Sequence, residues 1–318
     1  MTATPLRGIH HVTALASDPV ANVDFYTRVL GLRLVKRTVN FDDPGTHHLY
    51  FGDEEGRPGT ILTFFPWPLA RRGSRGAGQA TTTAFAVPAG SLSWWHTRLT
   101  GAGLPVEDPG ERFGEPVLGL LDPDGLRLEL VEREWAGDAA AWSASPVPTD
   151  RAVRGFDSIE LTVRDAGPSL ELLTDGMGYR ELERAGSRIR LGAGDGPVGG
   201  RVDLVAAPDT GFGHIAAGTV HHVAWRAADD GAQREWRERL SGRGLHVTPV
   251  LDRCYFHSIY FREPGGVLFE IATDPPGFTI DESVEELGSA LRLPPWLEAD
   301  RARIEEVLPS LGLDGASA

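Results

Sequence analysis

Two pairs of adjacent histidines and one glutamate in an apolar run are the residues of this chain most suited to chemistry. His10-His11 and His221-His222 each stand in a short β-rich segment, and Glu270 stands in the run VLFEIA at 267–272. Neutral imidazole and carboxylate are common ligands of divalent metals where thiolates are lacking. An ionised carboxylate in so apolar a run is costly unless it is paired or bound to a metal. These residue types therefore point to a metal site.

One histidine from each pair, together with Glu270, would form a 2-His-1-carboxylate site. Such a site leaves coordination positions open on one face of the metal, as iron(II) oxygenases require. Because side chains alternate along a strand, one member of each pair is expected to face the metal. A single strand histidine is more often structural than ligating, but two pairs at matching places favour ligation.

The matching places belong to a repeated unit. Residues 7–13 align with residues 154–160, and residues 218–223 give a third version of the same segment. A helix-like stretch follows each first strand. A hairpin of two apolar strands, joined by a turn rich in Asp, Pro and Gly, then occurs four times. The pattern predicts four units, each built of a strand, a helix and three further strands.

A βαβββ unit exposes one apolar sheet face and cannot bury it alone, so the units must pair. We expect an α+β fold in which four βαβββ repeat units pair into two open barrel-like modules. A stretch at 136–150 that is rich in Ala, Ser and Pro separates a first half, residues 1–140, from a second half, residues 151–280. Residues 281–318 are expected to form a C-terminal helical tail, because apolar residues recur there at helical spacing.

The repeat also supplies an internal comparison. Glu129 occupies the place of Glu270 in the second unit, but no histidine stands on the first strand of that unit. The third unit has Asp157 and Ser158 where the histidines would be. Units two and three are therefore predicted to be a metal-free copy, with Glu129 in a structural role or a salt bridge.

The amino-acid composition argues against several classes of function. The chain has 318 residues, with 31 Lys and Arg against 45 Asp and Glu, a net charge of −14. Such a surface repels phosphate backbones, and we expect no nucleic-acid partner. No run approaches the roughly 18 apolar residues of a membrane span, so no membrane association is expected. The single cysteine, Cys254, and the lack of an N-terminal apolar region predict a cytoplasmic protein.

Several motifs resemble the vicinal-oxygen-chelate superfamily, which includes glyoxalases, bleomycin resistance proteins and extradiol dioxygenases. The chain is most similar to the members that cleave the rings of hydroquinones. The resemblance covers essentially the whole chain. It rests on the segments GIHHVT at 8–13, FPWP at 65–68, HHV at 221–223, LDR at 251–253, SIYFREPGGVLFEIA at 258–272 and LPPW at 293–296.

The resemblance implies a non-haem Fe(II)-dependent ring-cleaving dioxygenase that inserts O2 into a hydroquinone- or catechol-type ring, with Mn(II) as an alternative metal. Its iron ligands match His11, His222 and Glu270. The family's other catalytic residues match Tyr260, His221 and Arg253. Its substrate-binding residues match Thr13 and His10. Strand alternation turns His10 and His221 away from the ligand side unless the strand is bulged or twisted.

This ligand set has a topological consequence. His11 comes from unit one, whereas His222 and Glu270 come from unit four. For the site to close, units one and four must share a barrel within one chain, or unit one must be exchanged between subunits. The tail and this exchange make a homodimer plausible.

Two other functions remain on the same fold, because function resides in the site and not in the fold. A glyoxalase-like isomerase or lyase uses its metal without O2 and commonly has a second carboxylate ligand. Thr63 stands where that acid would be expected, which favours the oxygenase. A metal-free small-molecule-binding protein is disfavoured because both histidine pairs and Glu270 occur together. The aromatic residues proposed to line the substrate pocket are Phe212, Trp225 and Phe256.

Overall fold

The structure is a computed structural model that describes residues 4–134, 141–193 and 199–313. Strands dominate the described residues. They are β1 Ile9–Ala16, β2 Arg33–Asn40, β3 Asp43–Gly52, β4 Ile61–Pro66, β5 Gln79–Pro88, β6 Gly110–Arg112, β7 Glu115–Leu121, β8 Arg127–Arg133, β9 Phe156–Val163, β10 Arg180–Ala185, β11 Arg188–Gly192, β12 Arg201–Ala206, β13 Val220–Ala227, β14 Leu251–Asp252, β15 Phe256–Arg262 and β16 Leu268–Pro276.

The helices are short and mostly follow the first strand of each unit. The α-helices are α1 Pro19–Asp24, α2 Leu92–Gly101, α3 Ala166–Glu171, α4 Asp230–Gly242 and α5 Arg301–Val307. A π-helical turn extends α1 over Phe25–Val29 and another extends α3 over Leu172–Gly176. Asp18 and Asp229 precede α1 and α4, and their carboxylates accept hydrogen bonds from backbone N–H groups of the first turn.

The strands form two eight-stranded sheets, as the four-unit α+β prediction requires. The first has the order β14-β15-β16-β13-β1-β4-β3-β2, and the second has the order β10-β11-β12-β9-β5-β8-β7-β6. Units one and four therefore share one sheet within one chain, and units two and three share the other. Each sheet takes one unit from each half of the sequence, so the division at 136–150, of which 136–140 lie outside the described residues, does not separate the sheets.

Antiparallel pairs join the units, β1 with β13 and β5 with β9, and each pair is bulged. In the register of β1 with β13, His10 and His221 are the extra residues, and Thr81 and Asp157 are their counterparts in the second sheet. At a β-bulge the strict alternation of side chains is interrupted. The bulges thus explain how both members of each histidine pair reach the same region.

The helices cover the outer faces of the sheets, and large aromatic side chains fill the space between. Trp95 of α2 and Trp236 of α4 are fully buried and belong to one core cluster that extends over both sheets. The two loops that cross between the sheets, from β4 to β5 and from β12 to β13, also contact one another, with Arg72 beside Ala217 and Ser74 beside His214. Among the described residues, no helix is long and apolar enough to span a membrane.

The C-terminal segment is largely irregular, with one short helix. Only Ile304 of α5 is buried, in a small cluster with Val39 and Leu293, while Trp296 and Val307 are half exposed or more. The prolines at 294 and 295 prevent a continuous helix there. The segment is tied to the body by Lys36, which is fully buried and contacts the carboxylates of Asp281 and Glu282.

Candidate active site

Three side chains from three adjacent strands converge in the first sheet. His11 lies on β1, His222 on β13 and Glu270 on β16, and all three are at most 5% exposed. Nε2 of His222 lies 2.9 Å from Oε2 of Glu270, and Nε2 of His11 lies 3.3 Å from the same oxygen. One potential ligand atom from each residue lies within 4.8 Å of the other two.

The hydrogen bonds of His10 determine that Nδ1 of His11 carries a proton. Nε2 of His10 lies 3.2 Å from the carbonyl oxygen of Thr273, which can only accept, so this nitrogen carries the proton. Burial, with the neighbouring His11 second, holds the pKa of His10 well below its usual value, so the ring is neutral. Its Nδ1 must then accept from Nδ1–H of His11, 2.9 Å away. With its proton on Nδ1, His11 can offer an unprotonated Nε2 to a metal ion beside Glu270, as a metal ligand must.

The second pair repeats this arrangement. Nδ1 of His221 lies 2.8 Å from Nδ1 of His222, and burial is the main cause that lowers the pKa of His221 to about 3. When His222 donates through Nδ1, as His11 does, its Nε2 also faces Glu270 as a lone pair. Neutral His221 then carries its proton on Nε2, which is available to the adjoining cavity.

Glu270 adds a buried carboxylate to the two imidazoles. Its Oε1 accepts a hydrogen bond from Ser258, whereas its buried Oε2 has no hydrogen-bond partner in the described part of the chain. Burial would raise the pKa of Glu270, but His11 and His222 hold it well below its usual value, so the carboxylate is ionised. Two imidazole nitrogens and a carboxylate oxygen around one point fit a divalent cation.

A cavity of about 360 Å³ opens onto this cluster. Its polar wall includes Arg253 and Tyr260, with the guanidinium 5.5 Å from the centre of the tyrosine ring and 3.0 Å from Asp42. Burial, with Glu270 second, raises the pKa of Tyr260, so its hydroxyl stays protonated. Aromatic and apolar residues form much of the rest, and the full lining is His11, Asn40, Phe41, Asp42, His48, Tyr50, Phe65, Trp67, His221, His222, Arg253, Phe256, Tyr260 and Leu268.

The place of Glu270 in unit one is taken by Thr63. Ala224 pairs with Glu270 and, at the matching position of β1, Thr13 pairs with Thr63. The hydroxyl of Thr63 lies 2.9 Å from that of Thr13 and 2.8 Å from Nε2 of His48. The cluster thus has one carboxylate, with hydroxyl groups where a second acid would lie.

The remaining sequence-predicted residues divide into two groups. His221, Arg253 and Tyr260 lie on the cavity wall. His10 and Thr13 are buried behind it and are not among the lining residues, so the structure places neither in contact with the cavity.

The prediction of the aromatic residues that line the pocket was partly wrong. Phe256 lines the cavity, but Trp225 is fully buried in the core, and Phe212 is 70% exposed, beside Arg164. Trp225 was misjudged because it lies on the same strand as the histidines but on the opposite face, toward Tyr179 and Phe269.

Sequence reasoning did not give roles to several cavity residues of unit one, notably Asn40, Phe41, Tyr50, Phe65 and Trp67. The repeat carries a signal for Tyr50. It pairs with Thr63 across β3 and β4, as Tyr260 pairs with Glu270 across β15 and β16.

The second sheet pairs its buried acids with arginines. Glu129 contacts Arg112 and Arg127, and Asp157 lies 2.6 Å from Arg133. The predicted salt bridge of Glu129 is confirmed.

Comparison with known proteins agrees with this fold. The family model described as Glyoxalase/Bleomycin resistance protein/Dioxygenase superfamily matches residues 8–130 and 155–271. The chain belongs to this superfamily. A solved structure of maize (Zea mays) glyoxalase I, 16% identical, superposes over 84% of this chain and 92% of that one with a TM-score of 0.61, which shows the shared fold.

Closer relatives define the branch. The Bacillus subtilis protein named "Putative ring-cleaving dioxygenase MhqO" is 49% identical over 307 residues, 96% of this chain and 97% of that protein. The chlorohydroquinone/hydroquinone 1,2-dioxygenase of Sphingobium indicum is 36% identical, over 92% of this chain and 93% of the relative. A solved structure of a B. subtilis protein described as a "putative dioxygenase" is 48% identical, with a TM-score of 0.94 over 98% of this chain and 99% of that one. The chain is a ring-cleaving dioxygenase of this superfamily.

Proposed function

We propose that the protein is a non-haem Fe(II)-dependent dioxygenase that cleaves a hydroquinone-type aromatic ring. The observation that carries the proposal is the convergence of His11, His222 and Glu270 beside an aromatic-lined cavity, with Oε2 of Glu270 buried and without a hydrogen-bond partner in the described part of the chain. These three residues would hold the metal and leave adjoining coordination positions open toward the cavity. Mn(II) is the alternative occupant, because imidazole and carboxylate also accept it.

The bound iron would supply the redox-active centre at which O2 and the aromatic ring exchange electrons. The protein residues around it position the substrate and its protons. Arg253, always charged, would hold a substrate oxygen that carries negative charge. Tyr260 and the Nε2–H of His221 would donate hydrogen bonds to substrate oxygen atoms in the cavity and move a proton when the ring opens. His10 and Thr13 would act from behind the cavity, by fixing His11 and Thr63.

Several features favour a hydroquinone-cleaving dioxygenase over the other candidate functions. A glyoxalase-like isomerase or lyase would be expected to bring a second carboxylate, and Thr63 stands in that place. A metal-free binding protein would have no use for the paired imidazoles that fix the His11 tautomer. The relative from Sphingobium indicum is named for hydroquinone and chlorohydroquinone, which points to para-diols before catechols. The partners would be such an aromatic diol and O2, while the homodimer and the cytoplasmic location remain predictions.

Oxygen uptake by the anaerobically Fe(II)-loaded protein tests this proposal. Hydroquinone, methylhydroquinone, chlorohydroquinone and catechol are offered in turn, and ring loss is followed by absorbance. We expect oxygen uptake equal to ring loss with at least one hydroquinone, and none in the His222→Ala variant. A wild-type protein that binds one metal per chain and consumes no O2 with any ring would refute the dioxygenase and favour the isomerase or lyase.

A further inference from the structure

A chain of hydrogen bonds connects the empty acid position of unit one to the cavity. The Tyr50 hydroxyl lies 2.8 Å from Nδ1 of His48, and Nε2 of His48 lies 2.8 Å from the hydroxyl of Thr63. Thr63 is held in turn by Thr13 at 2.9 Å. Tyr50, Thr63 and Thr13 are each at most 1% exposed, so these bonds form away from bulk water. Both ring nitrogens of His48 are therefore engaged.

The His48 ring is also fixed by packing. It lies against the Tyr50 ring, with centroids 4.1 Å apart, and against Phe65 at 4.3 Å. Burial, with His11 and His222 next, holds the pKa of His48 well below its usual value, so the ring is neutral and offers one donor and one acceptor. A ring held in this way leaves little freedom to the hydroxyl that it contacts.

Tyr50 is the pseudo-symmetric partner of Tyr260. Tyr50 pairs with Thr63, and Tyr260 pairs with Glu270, in the two units that share the first sheet. Both tyrosines line the same cavity, one from each unit. A phenol hydroxyl can donate one hydrogen bond and accept further ones, and His48 takes only part of that capacity. Burial raises the pKa of Tyr50 well above its usual value, so the group remains a neutral hydroxyl.

We propose that Tyr50 binds the ring hydroxyl of the substrate that lies remote from the metal, and that His48 positions Tyr50 for this contact. The inference rests on the proposed function. In a para-diol the two oxygens lie on opposite sides of the ring, so one metal ion cannot hold both. The remote hydroxyl needs its own partner inside the cavity, since an unpaired buried hydroxyl is costly. In a catechol both oxygens can reach the metal, and Tyr50 is not required.

The test compares two ligands in two proteins. Hydroquinone and phenol, which lacks the remote hydroxyl, are titrated calorimetrically into the anaerobic Fe(II)-loaded wild type and the Tyr50→Phe variant. We expect the variant to bind hydroquinone about 5- to 10-fold more weakly, as for one lost hydrogen bond, and phenol equally well. In turnover, the KM for hydroquinone should rise by a similar factor and that for catechol should not. Metal content and thermal melting are measured for both proteins.

Tyr255→Phe is the matched control. The Tyr255 ring lies 6.2 Å from that of Tyr50, but its hydroxyl donates to Asp281, and it is not a cavity-lining residue. This variant should bind hydroquinone and phenol as the wild type does.

Two binding results would overturn the role of Tyr50: equal weakening of both ligands in Tyr50→Phe, or no weakening of either. Binding needs no turnover, so these results are distinguishable from a failure of the proposed function, which would appear as a wild type that consumes no O2 with any ring.

Discussion

Replacing Glu270 by glutamine is expected to stabilise the metal-free protein and to abolish its stabilisation by metal. Without a cation, the ionised Oε2 of Glu270 faces the Nε2 atoms of His222 at 2.9 Å and His11 at 3.3 Å. An amide N–H2 in the same place would donate to these nitrogens. The amide oxygen, in the place of Oε1, would still accept the hydrogen bond from Ser258. The substitution therefore supplies the missing donor and removes a buried charge.

The stabilisation of the metal-free variant and the loss of stabilisation by metal can both be expressed as shifts in Tm. Satisfying one buried unpaired acceptor contributes about 1–3 kcal/mol. In a chain of this length 1 kcal/mol corresponds to roughly 2 °C in Tm, so the metal-free variant should melt about 2–6 °C above the metal-free wild type. Metal present at about 1,000 times its dissociation constant stabilises a folded protein by about 4 kcal/mol. The wild type should then gain roughly 8 °C on loading with metal, and Glu270→Gln should gain almost nothing.

Thermal melting under anaerobic conditions, with chelator or with Fe(II), measures both shifts. Glu129→Gln is the matched control, because Glu129 holds the equivalent position in the second sheet but contacts Arg112 and Arg127. This control should melt below the wild type and keep the full metal-dependent shift. The reasoning would be refuted by a Glu270→Gln protein that is less stable than the wild type without metal, or that is still stabilised by Fe(II).

Three further predictions test other parts of the structure. Tyr260→Phe should lower kcat about 100-fold in oxygen uptake, as for loss of a proton-transfer group, and unchanged kcat would remove its catalytic role. Lys36→Met leaves Glu282 buried without its lysine partner and should lower the free energy of unfolding, measured in urea, by about 3–5 kcal/mol. The double variant Lys36→Met with Glu282→Leu should recover most of this loss. Burial raises the pKa of Asp122 to about 6, so its stabilising contribution is full below about pH 3.9 and is lost as the pH rises through 6. Asp122→Asn should therefore melt above the wild type at pH 8 but not at pH 4, and an equal difference at both would contradict this.

The repeat made the fold and the convergence of its ligands predictable from the sequence. Turn chemistry and apolar strands marked four hairpins, and the ligand set required units one and four to meet. The choice between closure within one chain and exchange between subunits depends on how β1 pairs, which no local pattern encodes. The register of β1 with β13 shows closure within one chain.

The positions of His10 and Thr13 could not be read from the sequence for a related reason. A bulge is a property of two paired strands, and it shifts side chains by a residue without any Gly or Pro to mark it. His10 thus lies where it can bond both His11 and the carbonyl of Thr273, behind the cavity. Tyr50 was overlooked because its importance follows from pairing with Thr63, which is visible only once the registers of both units are compared.

The two sheets solve one physical problem in two ways. Each buries a glutamate at the same position of its last strand, Glu270 in one sheet and Glu129 in the other, and each is at most 1% exposed. A buried carboxylate requires a cation or several donors. In the second sheet the guanidinium groups of Arg112 and Arg127 supply the positive charge. In the first sheet the neighbours are the imidazoles of His11 and His222, whose Nε2 atoms can bind a metal ion together with the carboxylate. That difference between the two sheets, and not their shared fold, makes the first sheet a candidate catalytic centre.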